Sequence, residues 1–194
     1  MIKFPLIFDV EIIKCIPNTK KEENNPNLEY CEGWNDFQNM GISVICAYDY
    51  KEATYKTFLQ DNLDEFKELT LNRSLVGFNS AAFDDKLLQA NSINAVTRYD
   101  LLQEVRLASG QPKTYGKGSR RGYSLDALAK ANLNTSKTSS GSLAPVMWQQ
   151  GKIGAVIDYC LQDVVITKKL FDLSQKKALI DPTNNLELTL RSFL

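Results

Sequence analysis

Histidine is absent from all 194 residues, which removes every mechanism built on an imidazole base, a histidine nucleophile or a His-ligated zinc. Chemistry has to come from carboxylates, phenols, hydroxyls or thiols. The four cysteines, Cys15, Cys31, Cys46 and Cys160, include no C-x-x-C pair. With no histidine to complete a site, reduced structural thiols are expected rather than a zinc. Net charge is absent as well: 23 basic and 23 acidic residues cancel, so the chain is no polybasic binder, and any nucleic-acid contact has to use a local patch. Nor is there a long hydrophobic run. The apolar opening, MIKFPLIFDVEIIK, is broken by Lys3 and Asp9, so it has neither the span of a membrane helix nor the h-region of a signal peptide. No membrane partner and a cytoplasmic location are the expectation.

What remains is 43% hydrophobic and 24% charged, enough at this length for one domain with a sizeable core. Residues 3–13, short and rich in Ile, Val and Phe, predict a buried strand. Residues 17–39, with Asn24, Asn25, Pro26 and Asn27 at their centre, form a polar excursion of a length usual for functional or mobile loops, read as an insertion beside the site. Residues 41–50 and 53–59 predict two strands of an antiparallel hairpin around Lys51 and Glu52. Helical spacing follows in 61–70, a strand in 74–78, a helix in 81–90 and a further strand in 96–102. Residues 111–123 are basic and glycine-rich, hence a loop; 124–131 predict a helix capped by Ser124; 137–141 are a further loop. Residues 155–173 predict a long amphipathic helix. There is no internal repeat and no linker. Hairpin strands followed by strands alternating with helices predict a single α/β domain over 1–194, a mixed β-sheet flanked by α-helices.

Two acidic sites interrupt the apolar segments. Asp9 and Glu11 alternate with Val10 on the first strand, so both side chains point to one face. Their mutual repulsion and lost hydration are sensible where a cation sits between them; the alternative is a strand end reaching solvent. Tyr159 and Asp163 share a face of the last helix, next to a core stripe of Cys160, Val164 and Phe171. Asp163 among Leu161, Val164, Val165 and Ile166 is costly unless paired or metal-bound; the alternative is an exposed Asp on the polar side. Between them, Asp84 and Asp85 are neighbours on a helix and diverge by roughly 100°, so only one can face a common site. The other would serve as first-turn charge on the helix dipole.

The segments FDVE, NSAAFDD and YCLQD resemble, in order and over residues 8–171, the three exonuclease motifs of the DEDD superfamily in its tyrosine-bearing branch, DEDDy. The closest flavour is the proofreading exonuclease domain of family B DNA polymerases, whose motifs read D-x-E, N-x-x-x-F-D and Y-x-x-x-D. The missing histidine agrees, since the sister branch carries one in place of the motif tyrosine. The resemblance implies a ribonuclease H-like fold with Asp9, Glu11, Asp84 and Asp163 as the acidic quartet, Asp84 being chosen over Asp85 because it follows Phe83. It implies two divalent cations, Mg²⁺ or Mn²⁺, with Asp9 bridging both, Glu11 and Asp163 completing one shell and Asp84 holding the second ion through water. These suit hard oxygen ligands and an in-line displacement at phosphorus. Tyr159 would orient the attacking water, because a phenol with a pKa of about 10 is a poor base at neutral pH.

For substrate, the resemblance places Asn79 and Phe83 at the terminal nucleotide, although Asn at a strand end also suits turn chemistry. Arg120 and Arg121, with Lys113 and Lys117, form a basic loop able to hold phosphates, or else a solvated one. Tyr115, Tyr123 and Trp148 are candidates for base stacking, with interior packing as the alternative for Trp148. The chain departs from relatives at Ile12, Ile13 and Lys14, where a small or hydroxylated residue is common, and 17–39 has no counterpart. The expectation is a stand-alone 3′–5′ exonuclease acting on single-stranded nucleic acid 3′ ends, DNA slightly before RNA. The rival is a catalytically silent ribonuclease H-like module that binds nucleic acid or a protein.

Overall fold

The computed structural model describes residues 4–17, 24–116, 119–135 and 143–193. Strand β1 (Pro5–Ile12) lies at the centre of a five-stranded mixed sheet in the order β3-β2-β1-β4-β5. Its neighbours are β2 (Ile42–Asp49) on one side, antiparallel, and β4 (Ser74–Gly77) on the other, parallel. Strand β3 (Thr54–Phe58) completes the hairpin with β2, and β5 (Thr97–Asp100) runs parallel to β4. The chain is therefore α/β, and this antiparallel-then-parallel sheet flanked by helices is consistent with a ribonuclease H-like fold.

Period-two alternation sends the residues of β1 into two separate cores. Leu6, Phe8, Val10 and Ile12 pack with Phe66 of α2 (Leu63–Leu71) and with Leu87 and Leu88 of α3 (Asp84–Ala90). Ile7 faces the opposite layer, where Val44, Cys46, Val76 and Tyr99 meet Val156, Cys160, Val164, Leu170 and Phe171. Those last five belong to one 22-residue helix, here α7 (Ile153–Ser174). At 1.5 Å per residue it runs about 33 Å across the sheet. Each fully buried aliphatic or aromatic side chain in these layers contributes about 1.5–3 kcal/mol.

Several boundaries differ from the sequence reading. Helix α3 begins at Asp84 rather than at 81, because Asn79–Phe83 form a turn in which Asn79 is left-handed (φ 62) and Asp85 N–H donates to Ser80 O (2.9 Å). Strand β5 stops at Asp100, whose carboxylate caps a helix, α4 (Leu101–Ala108), by accepting from Leu102 N–H (3.0 Å) and Gln103 N–H (3.3 Å). Four further elements were not expected. A short helix, α1 (Phe37–Met40), closes the excursion. Helix α6 (Ala144–Gln149) follows α5 (Leu125–Leu133), and two strands of two residues each, β6 (Leu179–Ile180) and β7 (Glu187–Leu188), pair antiparallel. Elements of two to six residues are too short for hydrophobic periodicity to register. Ser124 does cap α5, accepting from Ala127 N–H at 3.1 Å. The loop expected at 137–141 lies outside the described residues, apart from which 111–123 carries no helix or strand where described.

The excursion is tied down by Gln149 of α6. Its Nε2 donates to Ile13 O (3.0 Å) and Glu29 O (3.1 Å), and its Oε1 accepts from Glu29 N–H (2.7 Å). Together with Cys31 N–H donating to Cys15 O (3.0 Å), this fastens residues 29–31 alongside the chain leaving β1. All four cysteines are buried free thiols. Trp148 is half-buried against the α7-side core, as expected of a packing residue. No helix among the described residues is long and apolar enough to cross a membrane.

Candidate metal centre

Three carboxylates meet where β1 passes under α7. Asp9 and Glu11 stand on the face of β1 that also carries Ile7, opposite Cys46 and Val44 of β2. Helix α7 lies directly over them, since Cys160 Sγ donates to Asp9 O at 3.4 Å. One residue earlier and three residues later on α7 come Tyr159 and Asp163, both buried. A ligand oxygen from each of Asp9, Glu11 and Asp163 lies within 4.8 Å of the others. Asp9 is half-buried, whereas Glu11 is 8% and Asp163 5% exposed, so Glu11 does not reach solvent at a strand end and Asp163 is not an exposed helical Asp.

This convergence carries an electrostatic cost. Like charges about 4 Å apart at an effective dielectric of 20 repel by about 4 kcal/mol per pair, and burial removes the water that would screen them. A divalent cation between them adds an attraction to each carboxylate that offsets this repulsion. The donor set is all hard oxygen. The nearest thiol, Cys160, is pushed well above its ordinary pKa by burial, then by its hydrogen bond with Cys46 and the charge of Asp9, so it stays protonated and is no competing ligand. Oxygen-only donors suit Mg²⁺ or Mn²⁺ rather than zinc.

Asp84 and Asp85 separate as helix geometry requires. Asp85 turns to β5, accepting from Thr97 N–H (3.0 Å) and Thr97 Oγ1–H (2.7 Å). Asp84 is buried at the start of α3. Burial raises its pKa well above the usual carboxylate range, the negative charge of Asp9 raises it further, and Asp85 and Asp100 add smaller contributions. Asp84 thus feels Asp9 electrostatically while standing outside the cluster of three. Tyr159 is hydrogen-bonded to Asp163, and its pKa is raised by burial first and then by the charges of Asp163, Glu11 and Asp9. The phenol is neutral at any physiological pH.

The substrate candidates fall into two groups. Asn79 and Phe83 belong to the turn that delivers Asp84. Asn79 is exposed and left-handed, with its N–H donating to Asp100 Oδ1 (2.9 Å), so turn chemistry accounts for its backbone and leaves its side chain outside. Phe83 is half-buried and packs edge-on to Phe37 at 5.5 Å. Arg120 and Arg121 are hydrogen-bonded within their own surroundings. Arg120 Nη2 donates to Ser109 O (3.4 Å), and Arg121 Nε to Tyr115 OH (3.1 Å). Burial would raise the pKa of Asp181, but hydrogen bonds with Thr183 and Tyr123 and the charge of Arg120 hold it below its ordinary value. Among the described residues no contact joins either arginine to the acidic cluster, and Lys117 lies outside those residues. Tyr123 is a buried packing residue bonded to Asp181 (3.0 Å).

One residue that positions the site went unrecognised in the sequence. Asp100 accepts from Asn79 N–H and from Ala81 N–H (3.1 Å) while capping α4, so a single buried carboxylate braces the turn bearing Asp84. The available signal was an Asp at a strand end just before Leu101, Leu102 and Gln103, the pattern of an N-cap.

No protein-family model matches the chain, and no curated protein does. Among solved structures, the family B DNA polymerase from the hyperthermophilic archaeon Pyrobaculum calidifontis is similar over 88% of this chain, with a TM-score of 0.48 and 12% identity. The matched part is 24% of that polymerase chain, so the chain spans about a quarter of its length.

The three-carboxylate cluster predicts a measurable stabilisation. A ligand that binds only the native state at a hundred times its Kd adds about 2.7 kcal/mol, or roughly 5–10 °C in Tm for a domain of this size. Thermal melts in Mn²⁺ and in EDTA should show this rise for the wild type and a much smaller one for Asp9→Ala. Equal rises in the two proteins would place the ion elsewhere.

Proposed function

We propose that the chain is a single ribonuclease H-like domain acting as a metal-dependent 3′–5′ exonuclease of the DEDDy type. It removes nucleoside monophosphates from single-stranded nucleic acid, DNA before RNA. The observation that carries this is the approach of Asp9, Glu11 and Asp163 within 4.8 Å, beside a neutral tyrosine bonded to Asp163. The carboxylates come from the two ends of the sequence and match the first and third motifs.

Asp9, Glu11 and Asp163 would hold one divalent cation, and Asp84 with Asp9 a second. Bound there, such ions stabilise the charge that develops on a phosphodiester and lower the pKa of water. The rest falls to the side chains. Tyr159, held protonated by its raised pKa and so unable to act as the base, places its hydroxyl to orient the attacking water against Asp163. Water adds at phosphorus and the bond to the 3′-oxygen of the preceding nucleotide breaks, which leaves a 3′-hydroxyl on the shortened strand. Asn79 and Phe83, on the turn next to Asp84, flank the departing nucleotide.

The deciding experiment uses 5′-labelled and 3′-labelled single-stranded DNA and RNA with Mn²⁺, Mg²⁺ or EDTA. A ladder shortening from the 3′ end, abolished by EDTA, is expected. Binding without any metal-dependent shortening would make the chain a silent module instead. For Tyr159→Phe, packing survives and one hydrogen bond is lost. The single-turnover rate should then fall roughly 10–100-fold, as with outer-shell losses at metal sites, while Mn²⁺ affinity stays unchanged. An unchanged rate would reduce Tyr159 to packing.

A further inference from the structure

Trp34 is 67% exposed, although tryptophan is highly buried on average. It is also held in place. Asp36 N–H donates to Gly33 O (3.1 Å), closing a turn around Trp34, and Asp36 Oδ2 accepts from Glu32 N–H (2.8 Å). Asp36 Oδ1 further accepts from Asn39 Nδ2 (2.7 Å), and buried Cys31 donates its thiol hydrogen to Gly33 O (3.5 Å). The ring leans edge-on against Phe83 (centroids 6.3 Å, 71°), the residue immediately before Asp84. Phe37 touches the same Phe83, and Lys86 Nζ lies 5.6 Å over the Phe37 ring. An exposed aromatic step with a cation at its edge therefore adjoins the turn that delivers Asp84.

We propose that Trp34 is a base-stacking residue, forming with Phe83 a platform for nucleobases at the single-stranded 3′ end. The proposal rests on the exonuclease reading. Physical need and geometry agree on it. A centre made of carboxylates, on a chain with no net charge, attracts a polyanion poorly, so affinity has to come from contacts other than bulk charge. Stacking on aromatic rings supplies that and tolerates any base, because every base has a π-face. Lys86 is placed to meet an adjoining phosphate.

The test compares wild type, Trp34→Ala and Trp34→Phe in Mn²⁺. The substrates are single-stranded DNA and RNA with either normal or abasic 3′-terminal nucleotides. Wild type should have a KM at least roughly fivefold lower for normal ends than for abasic ones, the effect of stacking a single base. Trp34→Ala should lose that preference through KM on normal ends, with kcat and the Mn²⁺-induced rise in Tm little changed, and Trp34→Phe should recover much of it. Hydrolysis by Trp34→Ala with wild-type KM on normal ends would overturn the platform and leave the exonuclease standing. Equal losses on normal and abasic ends would also overturn it. If wild type neither binds nor cleaves nucleic acid, both readings fall together.

Discussion

Asp9→Ala and Asp163→Asn should each reduce exonuclease turnover by roughly a thousandfold or more, the consequence of removing several kcal/mol of transition-state charge stabilisation. Both residues contribute ligand oxygens to one cluster, so losing either distorts the shell that two or more carboxylates share. The second half of the expectation has the opposite sign. With no divalent ion present, half-buried Asp9 and buried Glu11 and Asp163 repel one another, and neutralising one relieves that repulsion. Asp163→Asn should therefore melt at or above the wild-type temperature in EDTA at neutral pH, while the stabilisation by Mn²⁺ shrinks. Inactivity with raised metal-free stability identifies a functional carboxylate held against its own electrostatics. Near wild-type turnover in saturating Mn²⁺ would remove the residue from the site, and a large loss of metal-free stability would mark its role as structural.

The largest expected change in stability lies far from the metal centre. Asp49, at the end of β2 and fully buried, receives two hydrogen bonds from Arg73, from Nε and Nη2, both 2.8 Å. A third comes from Lys51 N–H at 2.9 Å. Arg73 is buried as well and directly precedes β4. The pair thus joins the hairpin half of the sheet to its parallel half. Arg73→Ala strands a buried carboxylate and should cost about 3–5 kcal/mol, a fall of roughly 6–20 °C in Tm. The paired substitution Asp49→Leu with Arg73→Met should recover most of the loss, since well-packed apolar residues replace buried ion pairs at little or no cost. A drop below 1 kcal/mol for Arg73→Ala in chemical denaturation would show that the pair is not structural.

The same pair imposes a pH dependence. Burial would raise the pKa of Asp49, but the hydrogen bonds from Arg73 and Lys51 and the charge of Arg73 outweigh it and leave it depressed. A depressed carboxylate contributes stability that is complete above its unfolded value, about 3.9. That stability is lost as pH falls through the folded value below it. Acid titration of the wild type should show this loss, and the Leu/Met pair should lack it.

Much of the chemistry was legible in the linear order of residues because its rules are local. Alternation on a strand puts Asp9 and Glu11 on one face, and a helical repeat of four does the same for Tyr159 and Asp163. Histidine's absence closes off other chemistries without any reference to folding. The long amphipathic run became α7, and the hairpin run became β2 and β3, since each is long enough for its period to dominate. Short elements escaped. Asp100 ended β5 early because a capping carboxylate outweighed the apolar Leu101 and Leu102 that followed.

Only the tertiary structure decided matters that depend on what lies opposite. The sheet order places β1 centrally and sets α7 across it, which brings Asp163 to Asp9 over more than 150 positions of chain. Periodicity shows which face a side chain takes, never what covers that face. The motif resemblance had already favoured Asp84 over Asp85, but the physical reason lies in Thr97, whose hydroxyl and N–H claim Asp85 for β5. The place of Trp34 beside Phe83 is likewise set by the fold, since the two are far apart in sequence. The basic loop, conspicuous by composition, keeps Arg120 and Arg121 on Ser109, Tyr115 and Asp181, because a flexible cation satisfies the nearest acceptors the fold supplies.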